Sequence, residues 1–478
     1  MKSMHPGSVR AYKLGCCCAR TCIAQMILRR FFSLEQKWAL NQCPFKQRNG
    51  APVKTIGIFL SLLLALTMLQ GCGGGSTSSS SVTTSTVRLV NATSASATLD
   101  LTLSGAMLAS GVATGSASGY ATISSGISTF MLDRGGSGTP SAQTTLSLSS
   151  GVDYSLVAYT RGQQLQVTAF TDDEPAPASG NGKIRVANLS LDAGSVDVYV
   201  TAAGGNLSNA SALTTNLAGA TGYFVIAKGT YHIWVTGAGN IADLRLDIPS
   251  VVISDQQVLT LILTSTTGGA LVDGWLVTQQ GAVSAQQNAS ARVRIAANIA
   301  ANGSIAAAAN GVPLSSSTLI SPVVGSYALV PAGTLAMSVA VNGNTVNVGN
   351  LNAAAGADLT LLAVGNGASP QFLLLSDDNT LPLSGMAKLR LVNGVNGLAD
   401  NISLSADYNL IAQNVAPGTV SAAASVNGGT ISLLQVNSSN ANTSLYVATN
   451  VSLQSPGVYS VFILGNNTAP VGILRRDR

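Results

Sequence analysis

Val87-Arg-Leu-Val-Asn91, Ile184-Arg-Val-Ala-Asn188, Val293-Arg-Ile-Ala-Ala297 and Leu389-Arg-Leu-Val-Asn393 are four versions of one apolar segment carrying a single arginine at its second position. Their starts lie 97, 109 and 96 residues apart, the size of a small β-sandwich. Further marks keep their order inside each copy. A second strand reads Thr98-Leu-Asp-Leu-Thr-Leu103, Ser195-Val-Asp-Val-Tyr-Val200, Ser304-Ile-Ala-Ala-Ala-Ala309 and Asn401-Ile-Ser-Leu-Ser-Ala406. A glycine turn opens a third at Ser125-Gly126, Lys228-Gly229, Ala332-Gly333 and Pro417-Gly418. A later apolar strand begins at Tyr154, Leu259, Leu359 and Tyr459, and an acidic segment closes copies one and three at Asp172-Asp-Glu174 and Asp377-Asp378.

Alternation such as Val196/Val198/Val200 around Asp197/Tyr199 is the period of a half-buried strand, and the glycines suit tight hairpin turns. No amphipathic helical stretch stands out after residue 86. The fold class is therefore all-β: four tandem immunoglobulin-like antiparallel β-sandwich domains of about seven strands each, spanning 87–178, 179–288, 289–384 and 385–478.

This pattern resembles domain-of-unknown-function family 4397, found in exported bacterial proteins, often in tandem. The residues carrying the resemblance are the openings Val87–Asn91 and Leu389–Asn393, the Val196–Tyr199 strand, the Lys228–Tyr231 turn and the acidic Ser376–Asn379 segment. It covers about residues 82–478 and is weakest in copy three, where Ala306–Ala309 replaces the polar/apolar alternation. The resemblance implies a sandwich fold and an exported location, and it transfers no catalytic residue.

Ahead of the repeats, Ile56–Met68 is a short uncharged apolar run with Lys54 before it. A membrane-spanning helix needs roughly 20 such residues, so the run is read as the core of a signal peptide. Leu69-Gln70-Gly71-Cys72 follows and resembles the bacterial lipobox, with a good match at Leu69, Gly71 and Cys72 and a less usual residue at Gln70. The resemblance implies that Cys72 receives a lipid and becomes the N-terminus after cleavage of residues 53–71. Residues 72–86 then form a lipidated cysteine and a Gly/Ser/Thr tether. Gly73 in place of Asp implies delivery to the outer membrane. Residues 1–52 do not belong to this plan and are expected to be a mis-called extension, with translation starting at Val53.

The whole chain carries a formal charge of +5, but residues 1–72 hold 10 of the 24 basic and 1 of the 19 acidic residues. The remainder has 14 basic against 18 acidic residues, a net charge of −4, which excludes the basic patch that nucleic acid requires. Charged residues are 9% of the chain, against about 25% in an average soluble protein. All six cysteines lie at or before Cys72, so the repeats contain no disulfide, thiolate metal site or cysteine nucleophile.

No constellation for catalysis emerges from the exported part. Its one histidine, His232, lies in the strand Tyr231-His-Ile-Trp-Val235 on the same face as Trp234, and its one glutamate is Glu174. A general base for a hydrolytic triad, or a carboxylate pair for glycoside hydrolysis, has no candidate in this pattern. Asp172–Glu174 and Asp377/Asp378 are read as solvated, turn-forming linker residues, ahead of a calcium site between domains. The glycine runs at Gly73–Gly75 and Gly135–Gly138 lack the Lys-Ser/Thr and the helix of a phosphate loop. Arg88, Arg185, Arg294 and Arg390 are expected to act structurally, covering a sheet edge or pairing with a nearby Asp, ahead of touching a ligand.

The expectation is a non-enzymatic cell-envelope lipoprotein without cofactor or metal. Its membrane partner is reached through the lipid on Cys72, and its stalk of sandwich domains serves spacing, structure or adhesion. The alternative is an extracellular module that binds polysaccharide or another envelope ligand, marked by exposed Tyr or Trp on one face of several copies.

Overall fold

The first repeat shows why each mark recurs. Its strands are β1 (Thr84–Asn91), β2 (Thr98–Leu103), β3 (Ala106–Ala113), β4 (Ala121–Ser124), β5 (Gly126–Arg134), β6 (Pro140–Leu148), β7 (Asp153–Arg161) and β8 (Gln164–Thr171). They form two four-stranded sheets, β4-β1-β7-β8 and β3-β2-β5-β6, packed face to face. This computed structural model describes residues 83–478 except 95–97, 136, 163 and 441–443; strands cover most of them, and no α-helix occurs among them. The lipobox residues Leu69, Gln70, Gly71 and Cys72 lie outside the described residues.

The first sheet is mixed rather than purely antiparallel. β1, which carries the arginine segment, runs parallel to β7, the later apolar strand, with Arg88 beside Ser155. The same register recurs three times, with Arg185 beside Thr260, Arg294 beside Thr360 and Arg390 beside Ser460. Side chains alternate across a strand, so Val87 and Leu89 enter the core of their own sandwich with Leu99, Leu101, Phe130 and Leu156. Arg88 and Val90 therefore point to the opposite, outer face of the sheet.

That outer face is covered. Val90, Ala92 and Val157 of the first repeat pack against Ala187, Ile262, Trp275 and Val277 of the second. Ala296, Leu362 and Leu375 of the third pack in the same way against Val392, Phe462 and Leu464 of the fourth. A sheet buried on both faces needs near-continuous apolar strands. Val258–Ser265, buried at every position, is one. The first sheets are thus packed sandwich to sandwich, and the half-buried alternation expected from sequence holds for the second sheets.

The second strand explains its own polar residue. β3 bulges against β2 at Gly111, whose φ of +63° puts it in the left-handed region, and Asp100 Oδ1 accepts the Gly111 N–H at 2.7 Å. Asp197 does the same for Asn216 (φ +49°) at 2.7 Å and also accepts from the Gly239 N–H at 2.9 Å. Ser403 Oγ accepts the Asn414 N–H (φ +54°) at 3.1 Å. Repeat three has Ala306 at this position, and there the edge strand is broken into Val312–Pro313 and Leu319–Ile320, each paired with Ser304–Ala309. The divergent alanines keep the inward alternation, since Ile305, Ala307 and Ala309 are all buried.

Candidate functional site: the recurring arginine clusters

The four arginines stand at equivalent points of four equivalent sheets, and their surroundings differ instructively. Arg88 donates through Nε to Ser155 Oγ at 2.7 Å and pairs with Asp172 at 3.3 Å. Its other nitrogens cross to the second sandwich, reaching the Gly281 carbonyl at 2.6 Å and the Thr278 carbonyl at 3.1 Å. Tyr120 lies over the guanidinium at 5.0 Å and donates its hydroxyl to Asp172 at 2.5 Å. Burial, then the bond to Asp172, hold the Tyr120 phenol well above its ordinary value.

Repeats three and four build the fuller version. Arg294 donates to Thr360 Oγ1 at 2.8 Å and lies between Tyr327 and Phe462, at 4.5 and 5.1 Å. It pairs with Asp377 of its own sandwich at 3.6 Å and with Asp477 of the fourth. Arg390 donates to Ser460 Oγ at 2.6 Å, and pairs with Asp477 of its own sandwich and Asp377 of the third, each at 3.0 Å. Two arginines and two aspartates thus exchange partners reciprocally across the contact. Burial opposes the charge on Arg390, but Asp377 and Asp477 hold its guanidinium above its ordinary value. Burial pushes the Asp377 carboxyl up, against the pull of Arg390 and Arg294.

The expected pairing of each arginine with a nearby Asp is what Arg88, Arg294 and Arg390 do. The expectation for the acidic closing segments is corrected. Asp172 and Asp377 are not solvated: they are 4% and 5% exposed, because each neutralises the arginine of its own or the neighbouring sandwich. The outer linker residues do keep solvent. Glu174 bonds Lys183, and Asp378 bonds Lys388 at 3.0 Å, so each clamp ties the linker to the first strand of the next sandwich. Among the described residues no group of three or more His, Cys, Asp or Glu is placed to hold a metal ion.

The opening segment's last residue has a separate role. Asn91 Nδ2 donates to the Val112 carbonyl at 3.0 Å, Asn188 to Leu217 at 2.9 Å and Asn393 to Val415 at 3.1 Å, tying the first sheet to the second. Asn188 Oδ1 accepts from the Ser190 N–H at 3.0 Å and hydroxyl at 2.5 Å, and Asn91 holds Thr93 in the same way. The Asn-x-Ser/Thr pattern at these two places is therefore a buried turn. His232 stacks on Trp234 with centroids 3.7 Å apart, as their shared face requires, and meets Asp247. Arg478 reaches back from the fourth repeat to the Gly269 carbonyl at 3.0 Å and to that of Ala193. Burial, Arg245 and Arg292 bring its guanidinium down to about 9.

Among solved structures, similarity is found to the Bacillus anthracis TIE protein, at 10% identity over 80% of this chain and 68% of that one, with a TM-score of 0.14. The CBMbc module (family CBM26) of Eubacterium rectale Amy13K, solved with maltoheptaose, is 14% identical over 42% of this chain and 96% of its own, with a TM-score of 0.14. A leucine-rich repeat protein of Bacteroides thetaiotaomicron is 12% identical over 37% and 25%, with a TM-score of 0.11. No curated protein matches the chain. At such TM-scores the fold rests on the strand topology itself. A family model matches residues 85–199 and 291–399, each segment a whole odd-numbered sandwich plus the opening of the next, and these segments belong to the family described as domain of unknown function (DUF4397).

Proposed function

We propose that the protein is a non-enzymatic lipoprotein of the bacterial cell envelope, held at the outer membrane by lipid on Cys72, with a structural, spacing or adhesive role. The observation that supports this reading is the use made of the recurring arginine. In three of four repeats it is buried and neutralised inside a contact between sandwiches. The most regular charged feature of the repeats is thus spent on joining domains. The anchor rests on the order of apolar run, lipobox and Gly/Ser tether at residues 56–86.

The test is protease accessibility of an epitope-tagged protein on intact cells, with wild type and Cys72→Ala in parallel. Loss of the wild-type signal together with release of the variant from membranes supports a surface lipoprotein. Protection until the outer membrane is opened places the same lipoprotein on the periplasmic face. A Cys72→Ala protein that stays membrane-bound sinks the anchor. The polysaccharide-binding alternative called for exposed aromatic residues in several copies, whereas Trp234 and Trp275 both sit in repeat two and are 5% and 0% exposed.

A further inference from the structure

Arg185 departs from its three counterparts. The strand position of Asp172, Asp377 and Asp477 is held in repeat two by Gln279. The Gln279 amide is spent on the linker: it donates to the Glu174 carbonyl at 2.8 Å and accepts the Glu174 N–H at 3.1 Å. Arg185 keeps the hydroxyl partner of the series, donating through Nε to Thr260 Oγ1 at 2.8 Å. It also keeps the aromatic contacts, with Phe170 of repeat one and Tyr223 of repeat two each 4.7 Å from its Cζ. What it lacks, among the described residues, is any ion pair or any hydrogen bond at its two terminal nitrogens.

The neighbouring charges do not make good the loss. Glu174 is taken by Lys183, and Asp172 by Arg88, Ser155 and Tyr120. Arg88, Arg294 and Arg390 are buried, but Arg185 is half-buried, so its free edge meets solvent. A guanidinium whose Nε is fixed and whose faces are lined by two rings has already lost much of its rotamer freedom. Its remaining donors form a planar fork that matches a carboxylate, the group each counterpart finds inside the protein.

We propose that Arg185, held by Thr260, Phe170 and Tyr223, is a binding site for a carboxylate supplied from outside the chain, as on the uronic-acid units of an acidic polysaccharide. This goes beyond the structural role proposed above and does not depend on the lipid anchor.

The experiment is saturation-transfer NMR of trigalacturonate with the full chain, using neutral maltotriose as the control sugar. Wild type is expected to saturate trigalacturonate and not maltotriose. Arg185→Gln should weaken binding about tenfold or more, the scale of a lost charge-assisted hydrogen bond. Gln279→Asp is the second variant: it places the internal acid of the other repeats beside Arg185 and should abolish binding. Arg134→Gln, at an exposed arginine elsewhere in repeat one, should leave the signal unchanged. Displacement of the sugar by acetate would support the carboxylate and show that it is the whole of the recognised group. The proposal is overturned if wild type saturates neither sugar or both equally. It is also overturned if folded Arg185→Gln and Gln279→Asp proteins bind as wild type does.

Discussion

Arg390 of the fourth sandwich lies 3.0 Å from Asp377 of the third, and the two side chains are only 2% and 1% exposed. Neither charge is tolerable there without the other, because each has surrendered its hydration. Arg294 and Asp477 complete the set, so removing one arginine leaves two buried carboxylates to share the other. Arg390→Met is therefore expected to cost about 3–5 kcal/mol, the scale for breaking a buried pair from one side. Urea unfolding of the full chain checks this; a midpoint within error of wild type would show that the cluster contributes nothing net.

Trp275 plays the corresponding part between the first and second sandwiches. It is fully buried, donates its indole N–H to Thr264 Oγ1 at 2.8 Å and packs so closely on Gly115 that a Cβ there would lie 3.2 Å from its ring. Gly115 also has a φ of +74°, so the position suits glycine twice over. Trp275→Ala is expected to destabilise this pair by about 3–5 kcal/mol through the cavity it leaves. Calorimetry should then resolve an early transition for repeats one and two ahead of three and four.

Asn188 is a cheaper device with a measurable price. It is 1% exposed and bonds the Leu217 and Gly194 carbonyls as well as Ser190. Asn188→Ala leaves the buried Leu217 carbonyl short of a donor, at roughly 1–3 kcal/mol, and the half-buried Gly194 carbonyl to solvent. A lowered melting temperature of the second sandwich is the expected result. Asn298, which is displaced by one residue in repeat three, has the other role of bonding Gly394 and Gly465 of the fourth sandwich. Its loss should weaken the pair and leave the third core intact.

The strand marks and the inward face of each strand were legible because side-chain alternation is local: Val196 and Val198 are buried as their spacing requires. The shared face of His232 and Trp234 followed from the same rule. The burial of Asp172 was not legible. An acidic run beside Pro175 reads as a solvated linker, and only the pairing of β8 with β7, itself the neighbour of β1, brings Asp172 to Arg88, 84 positions earlier in the numbering. The covered outer faces were hidden for a related reason. A continuous apolar strand such as Leu259–Leu263 says that both faces are buried, but nothing local says that the second cover is another repeat. The meaning of Gln279 became visible only against three aspartates aligned by structure.

Asp273 gives the repeats a pH dependence with a definite sign. It is 6% exposed, and burial pushes its carboxyl up to about 6, only partly offset by the Asn288 N–H at 2.8 Å. Its folded value thus exceeds the ordinary 3.8, so the folded chain binds this proton more tightly than the unfolded chain does. The stability from the protonated group is fully present below about pH 4, is lost as pH rises through about 6, and stays lost above. A shift of this size is worth about 2–3 kcal/mol at most. Asp273→Asn keeps an acceptor for the Asn288 N–H and removes the charge. It is expected to raise the melting temperature at pH 7.5 and have little effect at pH 4, flattening stability between them. Urea midpoints at both values decide the matter. An Asp273→Asn protein that loses stability at pH 7.5 would mean that the carboxylate is ionised and held there by groups that favour its charge.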